Sequence, residues 1–432
     1  MDAVLHEEDA EAYVHGVCFK TGPPVRVGVE LEWLVHDGCD PRSPVSADRL
    51  DLVLSALTAH EFVHGSAITR EPGGQIELSA PPGVGLADCV ARTAADLAIL
   101  RRICADHGLA LVGSGLDPLR SPPRVLDHPR YRAMEAHFDR AGPWGRVMMR
   151  STASAQINLD AGLLVDGAAG YRRRWQLAHR LGPVLVAAFA NSPIHRDSAT
   201  GWRSTRQAVW DRTDPGRTRP PHHHSDPGVA WARYALDAPL LCIRRPECSD
   251  WTAPHGLTFR AWLRGVPGLP PPTRDDLDYH LTTLFPPVRP RGWLELRMID
   301  AQPGDGWQVA AATTAALLDD PAAADAAYEA TEPYCRGRAL PDHAVWLRAA
   351  RHGPADPQIG KAVRACLAAA ETALGRSAST AALRRGLGGF IEQYAERGRC
   401  PADDQLDALR RGTSASPDRR KADRVRRTHL AQ

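Results

Sequence analysis

Val25-Arg26-Val27-Gly28-Val29-Glu30-Leu31-Glu32-Trp33-Leu34-Val35-His36 alternates polar residues with apolar, largely β-branched ones, and the alternation predicts a strand over residues 25–36. Successive side chains on a strand point to opposite faces, so Glu30 and Glu32 share one side and Val29, Leu31 and Trp33 the other. Two carboxylates a few ångströms apart repel unless a cation or a proton lies between them. The fold therefore has to bury one face of this strand and supply something positive to the other.

Three further segments repeat the pattern. Glu71 to Ser79 (EPGGQIELS) carries a turn signal at Pro72-Gly73-Gly74 and then a short strand. Glu71, Gln75 and Glu77 share parity there, although the turn leaves the phase of Glu71 open. Residues 148–160 (MMRSTASAQINLD) predict one long alternating strand with Ser154, Gln156, Asn158 and Asp160 on a single face. In residues 291–300 (RGWLELRMID), Glu295 and Arg297 share a face. One Glu-x-Glu pair is usually a solvated strand face. Four such segments, each backed by apolar residues of opposite parity, argue for a common acidic cluster. An all-oxygen set of Glu, Gln and Asn suits magnesium or manganese, and several carboxylates imply two or three ions beside a nucleotide.

The chain has no GxxxxGK[ST] or GxGxxG phosphate cradle. Nucleotide binding would therefore rest on metals and on arginines, whose planar guanidinium forks onto phosphate or carboxylate. Arg203, Arg206 and Arg217 lie in a polar stretch over 191–228, Arg289 and Arg291 precede the last strand, and Arg297 lies within it. His222-His223-His224 is read as a solvated loop, since consecutive residues converge poorly on one ion.

Composition narrows the class. The 432 residues are 43% hydrophobic, enough for a large core, and the net charge of +2 gives no basic field for nucleic acid. The 21 residues from Gly412 carry six Lys or Arg against two Asp, so the basicity belongs to the tail. Nine cysteines without a CxxC pair or Cys/His ligand spacing read as reduced thiols, not a zinc module or a disulfide framework. The acidic N-terminus has no apolar signal core, and the Leu181–Ala190 run is too short to span a bilayer. These features predict a cytoplasmic protein without membrane or nucleic-acid partners.

The remaining periodicity predicts helices over 48–60, 88–107, around 131–140 and over 170–190. Strands are predicted over 109–115 and 229–245, and an Ala-rich helical region runs from about Gly306. A polar basic tail from Thr413 is expected to be disordered.

In this order, GVELEW (28–33), EPGGQIELSAPP (71–82), STASAQINLD (151–160), FANSP (189–193), RSTRQAVWDRTDPGRT (203–218), YALDAPL (234–240), HLTTLFPPVR (280–289) and WLELRMIDAQP (293–303) resemble the glutamate–cysteine ligase family of plant and proteobacterial type. Within it the likeness is greatest to the actinobacterial enzymes that supply γ-glutamylcysteine for ergothioneine synthesis. The resemblance implies an α+β, glutamine-synthetase-like fold: a curved, mostly antiparallel sheet funnel flanked by helices, with a helical C-terminal region. It implies one catalytic domain over 21–411, mainly helical from 305, after an N-terminal extension (1–20) and before a basic tail (412–432). It implies Mg2+ at Glu30, Glu32, Glu71, Glu77, Gln156 and Glu295, with Glu295 and Arg297 in catalysis. Asn158, Arg203, Arg206, Arg217 and Arg289 are candidates for substrate or nucleotide binding. The implied reaction joins L-glutamate to L-cysteine at the expense of ATP through γ-glutamyl phosphate. A different amine acceptor, or a non-catalytic nucleotide-binding relative, is the alternative. The regulatory disulfide of plant relatives has no matching Cys pair here.

Overall fold

The computed structural model describes residues 5–246 and 249–414. Ten strands lie within them: β1 (Arg26–Asp37), β2 (Ala67–Arg70), β3 (Ile76–Ser79), β4 (Gly83–Val84), β5 (Leu109–Val112), β6 (Ser154–Asp160), β7 (Ile194–His195), β8 (Ser198–Ala199), β9 (Val288–Pro290) and β10 (Trp293–Asp300). The main sheet runs β2-β3-β1-β6-β10-β9, with β4 and β5 pairing the two ends of β1. Every strand pair is antiparallel. β1 is central because its twelve residues are long enough to serve β3 and β4 on one edge and β5 and β6 on the other.

The alternation works as expected. Val29, Leu31, Trp33, Ile76, Leu78, Ile157, Leu159, Leu294 and Leu296 are at most 3% exposed. They back the sheet against helices that include Tyr171–Ala188 and Gly306–Asp319. Each such aliphatic side chain contributes about 1.5–3 kcal/mol. From Gly306 to Ser414 the described chain is helical, with six α-helices ending at Pro401–Ser414. The expected tail begins inside that last helix, and its residues beyond Ser414 lie outside the described residues. Near the N-terminus the helix Glu7–Cys18 packs on the helix Pro227–Asp237, where Trp231 Nε1 lies 3.1 Å from Cys18 Sγ.

Two expected strands are corrected. Residues 227–237 form a helix, started by Asp226, whose side chain accepts from Gly228 N, and by Pro227 at the first helical position. Its buried Trp231 and Ala235 are four residues apart, a helical spacing that a short apolar run does not distinguish from a strand. The expected long strand over 148–160 begins only at Ser154. Trp144–Ser151 is a helix, closed where Thr152 Oγ1 donates to Met148 O at 2.6 Å. The polar stretch 191–228 contains the helices Thr205–Thr213 and Pro215–Thr218.

The Pro72-Gly73-Gly74 turn is fixed by contact as well as by dihedral angle. Gly74 has φ +90°, and Gly74 N donates to Glu71 O at 2.9 Å. A Cβ on Gly73 would lie 2.0 Å from Arg150 O, inside any tolerable contact. Gly73→Ala is therefore expected to cost about 1–3 kcal/mol by overpacking and to displace Glu71. Thermal denaturation matching the parent would show that the turn absorbs the methyl group.

Candidate functional site

The sheet register gathers the polar face. Glu32 stands opposite Glu77, Glu30 opposite Gln156, and Asn158 opposite Gly28 on one side and Glu295 on the other. The tight turn after β2 adds Glu71. The result is one cavity of about 260 Å³ whose lining includes Glu30, Glu32, Glu71, Glu77, Gln156 and Arg297, with Arg130, Arg289 and Arg291 beside them. Its remaining wall is softer: Tyr131, Met134, Met148, Met149, Trp210 and Phe285. The whole chain has five methionines, and three of them line this cavity. That concentration, and the MM pair at 148–149, was a sequence signal for a ligand-adapted wall.

The carboxylates are held individually. Glu32 accepts from Ser154 N at 2.7 Å and Gln156 Nε2 at 3.1 Å. Glu30 accepts from Asn158 Nδ2 at 2.9 Å, and Glu77 from Thr69 Oγ1 at 3.1 Å and Ser79 Oγ at 3.2 Å. Burial pushes Glu71 up to about 8, with the charges of Glu77 and Glu32 adding to it. Burial, then Glu32, pushes Glu77 up to about 6. Glu30 is raised by burial and by Glu295 and Glu77; Glu32 is raised by burial against the pull of Arg206 and Arg297.

Glu295 behaves oppositely. Burial acts to raise it, but Arg289 and Arg297 prevail and hold it at about 2. Arg289 forks onto it at 2.6 and 3.0 Å, and Arg297 Nη1 reaches it at 2.6 Å. Expected among the metal ligands, Glu295 here has both oxygens engaged by guanidinium groups. Arg297 also donates to Gln156 Oε1, and its Nε is buried with no hydrogen-bond partner.

The other expected arginines part company. Arg206 lies beside the cavity, 3% exposed, with Nη2 on Arg297 O at 2.9 Å. Arg217 is fully buried on Asp214, Thr283 and Pro239, and Arg203 pairs with Asp403 at 2.8 Å; neither lines the cavity. His224 turns its ring to the backbone of Asp226. Among the described residues no three His, Cys, Asp or Glu side chains gather closely enough to hold an ion alone. The cavity lining contains no His or Cys. Eight described cysteines are free, and seven of them are buried. No described helix is long and apolar enough to cross a membrane.

An antiparallel sheet with an acid- and arginine-lined face, backed by helices, is the α+β arrangement of sheet and flanking helices expected from the motifs. The chain belongs to glutamate–cysteine ligase family 2 (GCS2), whose model matches residues 26–424. It is similar to the glutamate–cysteine ligase EgtA of Mycobacterium tuberculosis (H37Rv), 41% identical over 96% of this chain and 93% of that one. EgtA of Mycolicibacterium smegmatis is 41% identical over 95% and 93%, and the chloroplastic glutamate–cysteine ligase of Arabidopsis thaliana 30% identical over 69% and 60%. The fold is shared with the crystal structure of a Francisella tularensis glutamate–cysteine ligase in complex with AMP, at TM-score 0.50 and 13% identity, covering 90% of this chain and 88% of that one.

The raised carboxylates give stability a definite pH dependence. Between the ordinary value of 4.5 and about 8, folded Glu71 binds a proton that the unfolded chain has released. Stability from this group is therefore full at low pH and is lost as pH rises towards 8. Buried His179 and His280, lowered to about 4 and about 3, act in the opposite sense, but only below about 6.5. The melting temperature of the metal-free protein is expected to fall between pH 6.5 and 8, and Glu71→Gln to remove most of that slope. An equal slope in the variant would place the proton elsewhere.

Proposed function

We propose that this chain joins the γ-carboxylate of L-glutamate to the amine of L-cysteine, forming γ-glutamylcysteine, ADP and phosphate, as a cytoplasmic enzyme feeding ergothioneine synthesis. The observation that carries the proposal is the cavity that four half-buried glutamates share with Arg297. The names of the similar actinobacterial enzymes support the choice of substrates.

The donor set fits magnesium. Glu30, Glu32, Glu71 and Glu77, with Gln156, offer oxygen alone. Magnesium keeps waters and shares substrate phosphates, so a few such oxygens suffice for it. Bound there, Mg2+ would neutralise the triphosphate of ATP.

The chain's own residues would do the rest. A carboxylate is a poor acyl donor, because its leaving group would be oxide. Transfer of the ATP γ-phosphate makes γ-glutamyl phosphate, and attack by the cysteine amine then expels phosphate. Arg297 would donate to the phosphoryl oxygens in flight, a contact worth most in the transition state. Glu295 and Gln156 orient that guanidinium, and the Met–aromatic wall limits water at the reacting atoms.

ADP release should require Mg2+, glutamate and an amine together, with cysteine the best acceptor. Equal turnover with a different amine would replace cysteine, and silence with every amine would end the ligase proposal.

Arg297→Lys keeps the charge but loses the planar fork. We expect kcat to fall about 100-fold or more with KM for both amino acids little changed. A steep rise in one KM at unchanged kcat would make Arg297 a substrate clamp.

A further inference from the structure

β10 does not pair evenly with β6. Leu296 faces Ile157 and Ile299 faces Ala155, so Arg297 and Met298 together oppose Gln156. This is a β-bulge, which re-aims a side chain and takes backbone groups out of the ladder. Those groups find other partners. On the other edge Arg297 N continues the β9 register to Pro287 O at 2.8 Å, and Pro287, which has no N–H, leaves Arg297 O to another donor. The two bulge carbonyls are taken by adjacent side chains in the first turn of the helix Thr205–Thr213: Arg206 Nη2 reaches Arg297 O at 2.9 Å, and Gln207 Nε2 reaches Met298 O at 2.7 Å.

That helix start is itself pinned to the far end of β10. Ser204 caps the helix through Gln207 N and donates its hydroxyl to Asp300 Oδ1 at 2.9 Å. Asp300 also accepts from Asn191 N and Ser192 Oγ, and Arg206 Nη1 stands 3.8 Å from it. The helix start is thus tied both to the bulge and to the strand end beyond it.

We propose that Gln207 is a positioning residue for the ligase reaction, holding the Arg297–Met298 bulge so that the Arg297 guanidinium keeps its place in the cavity. The proposal rests on the role given to Arg297 above. Gln207 itself touches no residue of the carboxylate wall; its amide acts through the Met298 carbonyl. Pairing is regular as far as Leu296, so parity already sets Arg297 on the cavity face; the clamp fixes where on that face its guanidinium sits, and a bulge released from it can shift that position.

The test is a double-mutant cycle in the full-length enzyme with ATP, Mg2+, glutamate and cysteine. Gln207→Met keeps the side chain's size and removes the donor. We expect kcat to fall about 10- to 100-fold, as a small misplacement of a catalytic group does, with both KM values within about twofold. In an Arg297→Ala background the same substitution should lower the residual rate by less than about twofold, because residues acting through one another are not additive. A merely structural role would give losses that multiply in full, and that result overturns the proposal, as does unchanged kcat in Gln207→Met. If Gln207→Met does not fold, Gln207→Asn, which keeps the amide one methylene shorter, should show a smaller kcat loss, and unchanged kcat there overturns the proposal equally. Full activity in Arg297→Ala would remove the role of Arg297 and the clamp together; an inactive Arg297→Ala beside a fully active Gln207→Met would remove the clamp alone.

Discussion

Like-charge crowding is the constraint on which this structure depends. Two unit charges about 4 Å apart interact by about 4 kcal/mol at an effective dielectric of 20, and here four glutamates line one cavity. The sheet brings them together because every polar residue placed on one face commits an apolar neighbour to the other. The buried reverse face, with Leu31, Ile76, Leu78, Ile157 and Leu296, supplies the stabilisation that offsets the repulsion. Burial first, and then the charges of Glu77 and Glu32, push Glu71 up to about 8. Such strain at a site commonly marks where function outweighs stability.

The arginines divide by what holds them. Arg217 ends on backbone carbonyls and Asp214 and locks a loop; Arg203 ties the loop before Ser204 to the last described helix through Asp403. Arg289 and Arg297 instead share Glu295, a buried carboxylate kept ionised by the pair. One acid between two guanidiniums leaves surplus positive charge beside the glutamates, since Arg297 also donates to Gln156, which reaches Glu32. A site that mixes acids and arginines in this way suits a ligand that is itself an anion carrying cations.

Much of the fold was legible where one period prevailed. β1 and the helices Leu86–Asp106 and Tyr171–Ala188 lie where the alternation and the 3.6-residue spacing put them. The errors fell where an apolar run was short. Met148 and Met149 sit in a helix that abuts a strand with no proline or glycine between them, and Trp231 to Leu236 satisfy either period until the Asp226–Pro227 start is weighed.

The sequence by itself determined which faces the carboxylates occupy, because parity along a strand is a local property of the backbone. Glu30 with Glu32, and Glu295 with Arg297, followed from that alone. Tertiary structure decided which strands are neighbours, and so which acids share a cavity: Glu32 meets Glu77, and Glu295 meets Arg289, only through inter-strand register. It also decided that Glu295 faces guanidinium groups, that Arg203 and Arg217 stand apart, and that Met134, Met148 and Met149 line the same cavity as the glutamates. Contacts between residues far apart in the chain depend on how whole elements pack, and no local pattern encodes that packing.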